Sequence, residues 1–157
     1  MAIGTVTKYN QWEDITGGAA NRQWDDATAG NIMFVLAKAS YTPSAAHTTV
    51  ANIGIADVDY IATGDGAPIA ATTLDVDATT TPGTTYYDSD AANFGANVTI
   101  SAKYLIAVQP VTAGTFASTA KLLWYVDLDT TSTSSEVSST ASTFSVDASV
   151  NGWLSST

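Results

Sequence analysis

The chain has 157 residues, with 15 acidic side chains against five basic ones, a single His and no Cys. A formal charge of −10 repels nucleic-acid phosphates and anionic lipid, so neither is an expected partner. The missing Cys excludes disulfides and thiolate metal sites, and the scarcity of His, Lys and Arg leaves little from which to build a catalytic centre.

A chain of this length folds by default as one domain, burying roughly 68–70% of its unfolded surface. Charged residues make up only 13%, about half the usual share, so hydroxyl and amide groups must keep the exterior wet. The start, Met1 to Thr5, has neither a basic stretch nor a long apolar run, and no segment approaches the roughly 20 apolar residues of a membrane span. A soluble protein made in the cytoplasm is expected.

Residues 1–30 read as a separate amino-terminal segment that packs on the core or on a neighbour, ahead of a β domain over 31–157. Tyr9, Trp12 and Ile15 are spaced for a short helix that Gly17-Gly18 would stop, and Trp24 is an aromatic anchor in a polar connection. Ile32 to Ala37 is apolar on both faces, as a strand covered on both sides requires, and Tyr41-Thr42-Pro43 ends it. A helical turn fits His47 to Ile53. Residues 56–62 alternate, with Val58 and Tyr60 on one face and Asp57, Asp59 and Ile61 on the other. Gly64-Asp65-Gly66 marks a tight turn.

Residues 68–78 alternate again, with Leu74 and Val76 inward. Pro82-Gly83 is a turn signal, followed by a short aromatic strand at Thr84 to Tyr87. The strongest alternation covers 98–108, where Val98, Ile100, Ala102, Tyr104, Ile106 and Val108 share one face opposite Thr99, Ser101 and Lys103. Pro110 to Ala120 is a small-residue loop, and Leu122, Trp124, Val126 and Leu128 form the next inward row. Residues 130–143 are almost all Ser and Thr, which predicts an exposed loop or arm. Phe144 and Val146 alternate with polar neighbours, and Trp153-Leu154 closes the chain. Together these segments predict an all-β fold: a single antiparallel sandwich or jelly-roll-like domain with short helical turns.

Four Asp-x-Asp pairs stand out: Asp57/Asp59, Asp75/Asp77, Asp88/Asp90 and Asp127/Asp129. On a strand, i and i+2 share a face, so each pair offers hard oxygens to Ca²⁺; Asp88 and Asp90, leaving a strand into a loop, fit best. Polar edges and solubility explain three of the pairs without an ion, and no cofactor is expected. Two acids flanking a cleft would also suit a glycosidase, with Trp12, Trp24, Trp124 and Trp153 as sugar platforms, although Trp124 alternates with core residues. His47 has no partner at motif spacing and reads as a surface or helix-start residue. Asn97-Val98-Thr99 fits a glycosylation sequon without a secretion signal.

The order of these segments resembles a group of small tailed-phage virion proteins. The likeness rests on Ile32 to Ala37 leading into Ser40-Tyr41-Thr42-Pro43, then His47 to Ile53 and Ala56 to Tyr60. It continues through Val98 to Val108, Leu122 to Asp127, the Phe144-x-Val146 strand and Gly152-Trp153-Leu154. It spans most of 30–154 and departs in lacking a Gly-Gly pair after Gly66. The resemblance implies a non-enzymatic capsid decoration or cement protein on the outer surface of a virion. Its partners would be the major capsid protein and copies of itself, with a trimer suiting local threefold points. Tyr86, Tyr87, Phe94, Trp12 and Trp24 are then candidate interface anchors, because aromatics dominate many interfaces. Filling the core is the competing fate for the first three. A tail, neck or fibre component and a carbohydrate-binding adhesin domain are the rival readings.

Overall fold

The computed structural model describes residues 4–12, 30–77, 85–130, 135–148 and 153–156. Twelve short strands follow one another: β1 (Thr7–Lys8), β2 (Met33–Ala37), β3 (Ile69–Ala70), β4 (Asp75–Asp77), β5 (Thr85–Asp88), β6 (Ala92–Asn93), β7 (Val98–Ala102), β8 (Tyr104–Gln109), β9 (Lys121–Asp127), β10 (Val137–Ser142), β11 (Ser145–Val146) and β12 (Leu154–Ser156). Val50–Asn52 forms a single 3-10 turn, within the segment expected to be helical. The protein is all-β, and every strand pairing among the described residues is antiparallel.

The centre is a five-stranded sheet in the order β1-β9-β8-β2-β3, accompanied by three small sheets, β10-β7, β11-β6 and β12-β5-β4. Alternation along β2 explains the layering. Phe34 and Leu36 point into one apolar cluster, shared with Val98, Ile100 and Ala102 of β7, Ala92, Phe144, Val146 and Trp153. Met33, Val35 and Ala37 point into a second, covered by Tyr41, Val50, Ile53 and Tyr60 from the loops after β2. The small sheets therefore cover one face of the central sheet, and loops with the 3-10 turn cover the other. This two-sided cover is why Met33–Ala37 carries no polar side chain.

Three sequence expectations are corrected. The alternating run 98–108 is two strands in two sheets: β7 pairs with β10, whereas β8 pairs with β2 and β9. The chain breaks at Lys103, whose amide donates to Ala37 O at 2.8 Å and whose carbonyl accepts Leu128 N at 2.8 Å. As a result Val98, Ile100 and Ala102 fill the first cluster, but Ile106 and Val108 fill the second. The unbroken alternation concealed a change of face.

The inward row of β9 is also interrupted. Ala107 pairs with Trp124 and Val108 with Leu122, so Leu123 is the extra residue of a bulge. Leu122 consequently enters the second cluster while Leu123, Trp124 and Val126 enter the first.

Within the Ser/Thr-rich 130–143, finally, Val137–Ser142 is a strand rather than a loop. It pairs with β7, whose apolar side already supplies the core contact, so β10 needs few apolar side chains. Ser139 is buried because its hydroxyl donates to Val98 O at 3.0 Å, which removes the penalty of an unpaired polar group.

The amino-terminal residues 4–12 are joined to this core. Gly4 N donates to Asp127 O and Tyr9 N to Leu123 O, extending the β1–β9 ladder, and Tyr9 and Trp12 are buried. The helix expected to end at Gly17-Gly18 and the Pro82-Gly83 turn lie outside the described residues.

Candidate interaction surface

Trp12 is fully buried, with its ring 5.0 Å from Tyr87 in an edge-on contact. Phe94 is buried against Phe144, and Tyr87 packs on the main core cluster. Core filling is thus the fate of Trp12 and Phe94, which corrects their reading as interface anchors. The physical reason is the apolar area these rings take out of water, since both belong to the main buried cluster. Trp24 lies outside the described residues. Of Tyr86, only the backbone pairing with Asp77 and Ser155 is described.

Of the tryptophans expected as sugar platforms, Trp12, Trp124 and Trp153 are likewise internal. Trp124 and Trp153 stack with centroids 5.4 Å apart, Phe34 lies beside both, and Trp153 Nε1 donates to Ser89 Oγ at 2.8 Å. No tryptophan among the described residues has an exposed face.

The acidic pairs mostly brace loops. Asp90 Oδ2 accepts the hydroxyls of Thr72 (3.0 Å) and Thr73 (2.6 Å), holding the joint between β3 and β4 where Thr73 is left-handed at φ 52°. Asp88 Oδ1 accepts Ser89 N at 2.8 Å. Asp127 Oδ2 pairs with Lys103 Nζ at 3.0 Å while its Oδ1 accepts Asp129 N. Among the described residues no group of three or more His, Asp or Glu is placed to hold a metal ion.

His47 is not an isolated surface residue. Its Nδ1 lies 3.0 Å from Tyr41 Oη, which lies 2.9 Å from Tyr9 Oη. Burial, reinforced by the neighbouring tyrosines, pushes the Tyr9 phenol far above its ordinary range, and burial raises Tyr41 as well. Both stay neutral hydrogen-bonding groups that tie β1 to the loop layer.

The most distinctive local structure is the knuckle at 54–63. The sequence predicts a strand over 56–62, but the chain makes only isolated bridges there, including Ala37 with Tyr60. Asp57 is left-handed (φ 59°), and its Oδ1 accepts the amides of both Ala62 (2.8 Å) and Thr63 (3.0 Å). Asp59 Oδ2 accepts Ile55 N at 2.7 Å, and Asp59 N donates back to Ile55 O at 2.8 Å. Asp59 also seats against Gly54 (φ +130°), where any Cβ would collide with its carboxylate. These bonds hold both carboxyls below the ordinary range: the Ala62 and Thr63 amides for Asp57, the Ile55 amide for Asp59. Winding the chain this way places Ile55 (67% exposed) and Val58 (56% exposed) in solvent, while Tyr60 and Ile61 turn inward.

Behind the knuckle lies an open cleft of about 370 Å³. Ile61 and Ile100 are the apolar residues of its lining, which also includes Lys38, Asp57, Asp65, Ser101 and Glu136. Asp65 Oδ2 accepts Thr99 N at 2.8 Å; Glu136 Oε1 accepts Ala39 N at 2.8 Å and its Oε2 accepts Ser101 Oγ at 2.6 Å. Sequence reasoning missed this assembly. Asp65 was visible as a turn residue, but Glu136 sits in a Ser/Thr tract and reaches the cleft only through the β7–β10 pairing.

No family model, no curated protein and no solved structure matches this chain.

Proposed function

We propose that the protein is a structural component of a virus particle: a capsid decoration protein that binds the outside of the shell and stabilises it without catalysis. The observation that carries this reading is how the chain spends its polar chemistry. Asp57, Asp59, Asp65, Asp90, Asp127 and Glu136 each accept hydrogen bonds from, or ion-pair with, other parts of the chain and so fix its loops. His47 is tied to Tyr41 in the same way. Among the described residues, the large apolar side chains that remain exposed, Ile55, Val58 and Val111, stand on loops.

A rigid β core with apolar loop tips is suited to repeated, identical contacts on a lattice. Modest affinity per site suffices there, because many sites on one symmetric shell act together. The order of sequence segments shared with small tailed-phage virion proteins supports the same reading. The buried tryptophans speak against the adhesin alternative.

Mixing the purified protein with shells of its own phage that lack it provides the test. Saturable co-sedimentation and a higher shell melting temperature are expected. Failure to co-sediment would overturn the proposal.

A further inference from the structure

The knuckle and the cleft behind it form one continuous feature, since Asp57 belongs to both. Two independent properties coincide there. One is apolar: Ile55 and Val58 are exposed on a turn braced by its own hydrogen bonds. Ile55 N and O both bond Asp59, Val58 N bonds Ile55 O, and Asp57 N bonds Tyr60 O at 2.7 Å. A side chain on so braced a turn loses little backbone entropy when a partner covers it, which is the condition for an efficient anchor.

The other property is electrostatic. The cleft has an apolar lining at Ile61 and Ile100 and three carboxylates, Asp57, Asp65 and Glu136, against the one ammonium of Lys38. Lys38 Nζ is itself turned to Asp57 O at 3.3 Å. The carboxylates are not grouped to hold a metal ion, whereas an aliphatic stem ending in a cation would match both lining and walls. A second copy of the chain is a poor occupant, because each copy carries −10.

We propose that this surface is the docking site for a basic polypeptide segment, which lays an apolar side chain on Ile55 and Val58 and inserts an adjacent Arg or Lys into the cleft. The proposal rests on the decoration reading only in placing that segment on the shell protein. Asp65 and Glu136 flank the cation; Asp57, already accepting three donors, contributes charge.

The test titrates the ¹⁵N-labelled full chain with N-acetyl-leucyl-arginine amide, followed by NMR. The amides of Ala39, Ala62 and Thr99, which bond the cleft carboxylates, should shift saturably, and added salt should weaken binding. The variant D65N/E136Q keeps an acceptor oxygen for Thr99 N and Ala39 N, and should weaken binding about tenfold, as loss of a charge-assisted bond implies. I55S/V58S alters only exposed side chains and should remove the advantage of the leucyl peptide over N-acetyl-arginine amide. Non-saturable shifts, or binding unchanged in both variants, would overturn the proposal. Loading the variants onto shells separates the two claims. If D65N/E136Q loads as fully as the parent chain, the docking site is refuted and decoration stands. If the parent chain itself never loads, decoration fails, while the peptide titration still decides the site.

Discussion

Lys103 marks the place where the chain leaves one sheet for another, and its ion pair with Asp127 should respond asymmetrically to mutation. The ammonium lies 3.0 Å from Asp127 Oδ2, with side-chain exposures of 10% for Lys103 and 39% for Asp127. It also stands 5.3 Å from the ring centroid of Tyr104. Burial works against the ammonium, but the bond and charge of Asp127 outweigh it and raise the group above its ordinary 10.5. Replacing Asp127 by Asn takes the bonded opposite charge from a cation whose side chain is only 10% exposed. A hydrogen bond to a charged group contributes about 1.5–3 kcal/mol, and the partial exposure of Asp127 puts the loss near the lower end, about 1.5–2 kcal/mol. In a chain of this size that lowers the melting temperature by roughly 3–8 °C.

Lys103→Met keeps the packed stem and leaves Asp127 with Asp129 N and solvent, so it should cost less than about 1 kcal/mol. Because its folded value is raised, the Lys103 ammonium makes its full contribution at neutral pH, below 10.5, and that contribution is lost as pH rises through the higher folded value. Thermal melts of both variants at neutral pH are the assay. If Lys103→Met destabilises as much as Asp127→Asn, the reasoning is wrong and the stem packing or the strand break itself, not the stranded charge, governs the site.

Four further outcomes follow from the packing and the hydrogen bonds. Trp153→Ala empties the stack between Trp124 and Phe34 and should cost about 3–5 kcal/mol in denaturant melts; Ser89→Ala, which orphans Trp153 Nε1, should cost about 1–3 kcal/mol. Asp57 and Asp59 are held below their ordinary 3.8, so their contribution is complete above that value and is lost as pH falls through the lower folded values; Asp57→Asn should flatten the acid limb of a stability–pH profile. Gly54→Ala drives a Cβ into the Asp59 carboxylate at a left-handed position and should cost about 1–3 kcal/mol, with hydrogen exchange accelerated at the Ile55 amide.

Much of the scaffold could be read from single residues. Two-sided apolarity in Met33–Ala37 announced a strand between two layers, Trp124 announced itself as core, and Gly64-Asp65-Gly66 forms the expected turn, closed by Ala67 N on Gly64 O. What could not be read depended on tertiary events that leave the period of two intact. The face change at Lys103 preserves alternation on both sides, and the Leu123 bulge is a local insertion that only the β8 register exposes. β10 escaped notice because its core contact is made by its neighbour. The knuckle was hidden for another reason: its Asp residues alternate as a strand would, and only the capture of amides five and six residues on by Asp57, and four residues back by Asp59, bends the chain. The cleft joins residues as distant as Asp57 and Glu136, a separation no local pattern encodes.

Copy number in purified virions decides whether this chain sits on a capsid lattice, as we propose. Quantitative mass spectrometry against the major shell protein should return a ratio close to that of a lattice component. A few copies per particle would move the chain to the tail, neck or fibre, and complete absence from particles would contradict a structural role in the virion.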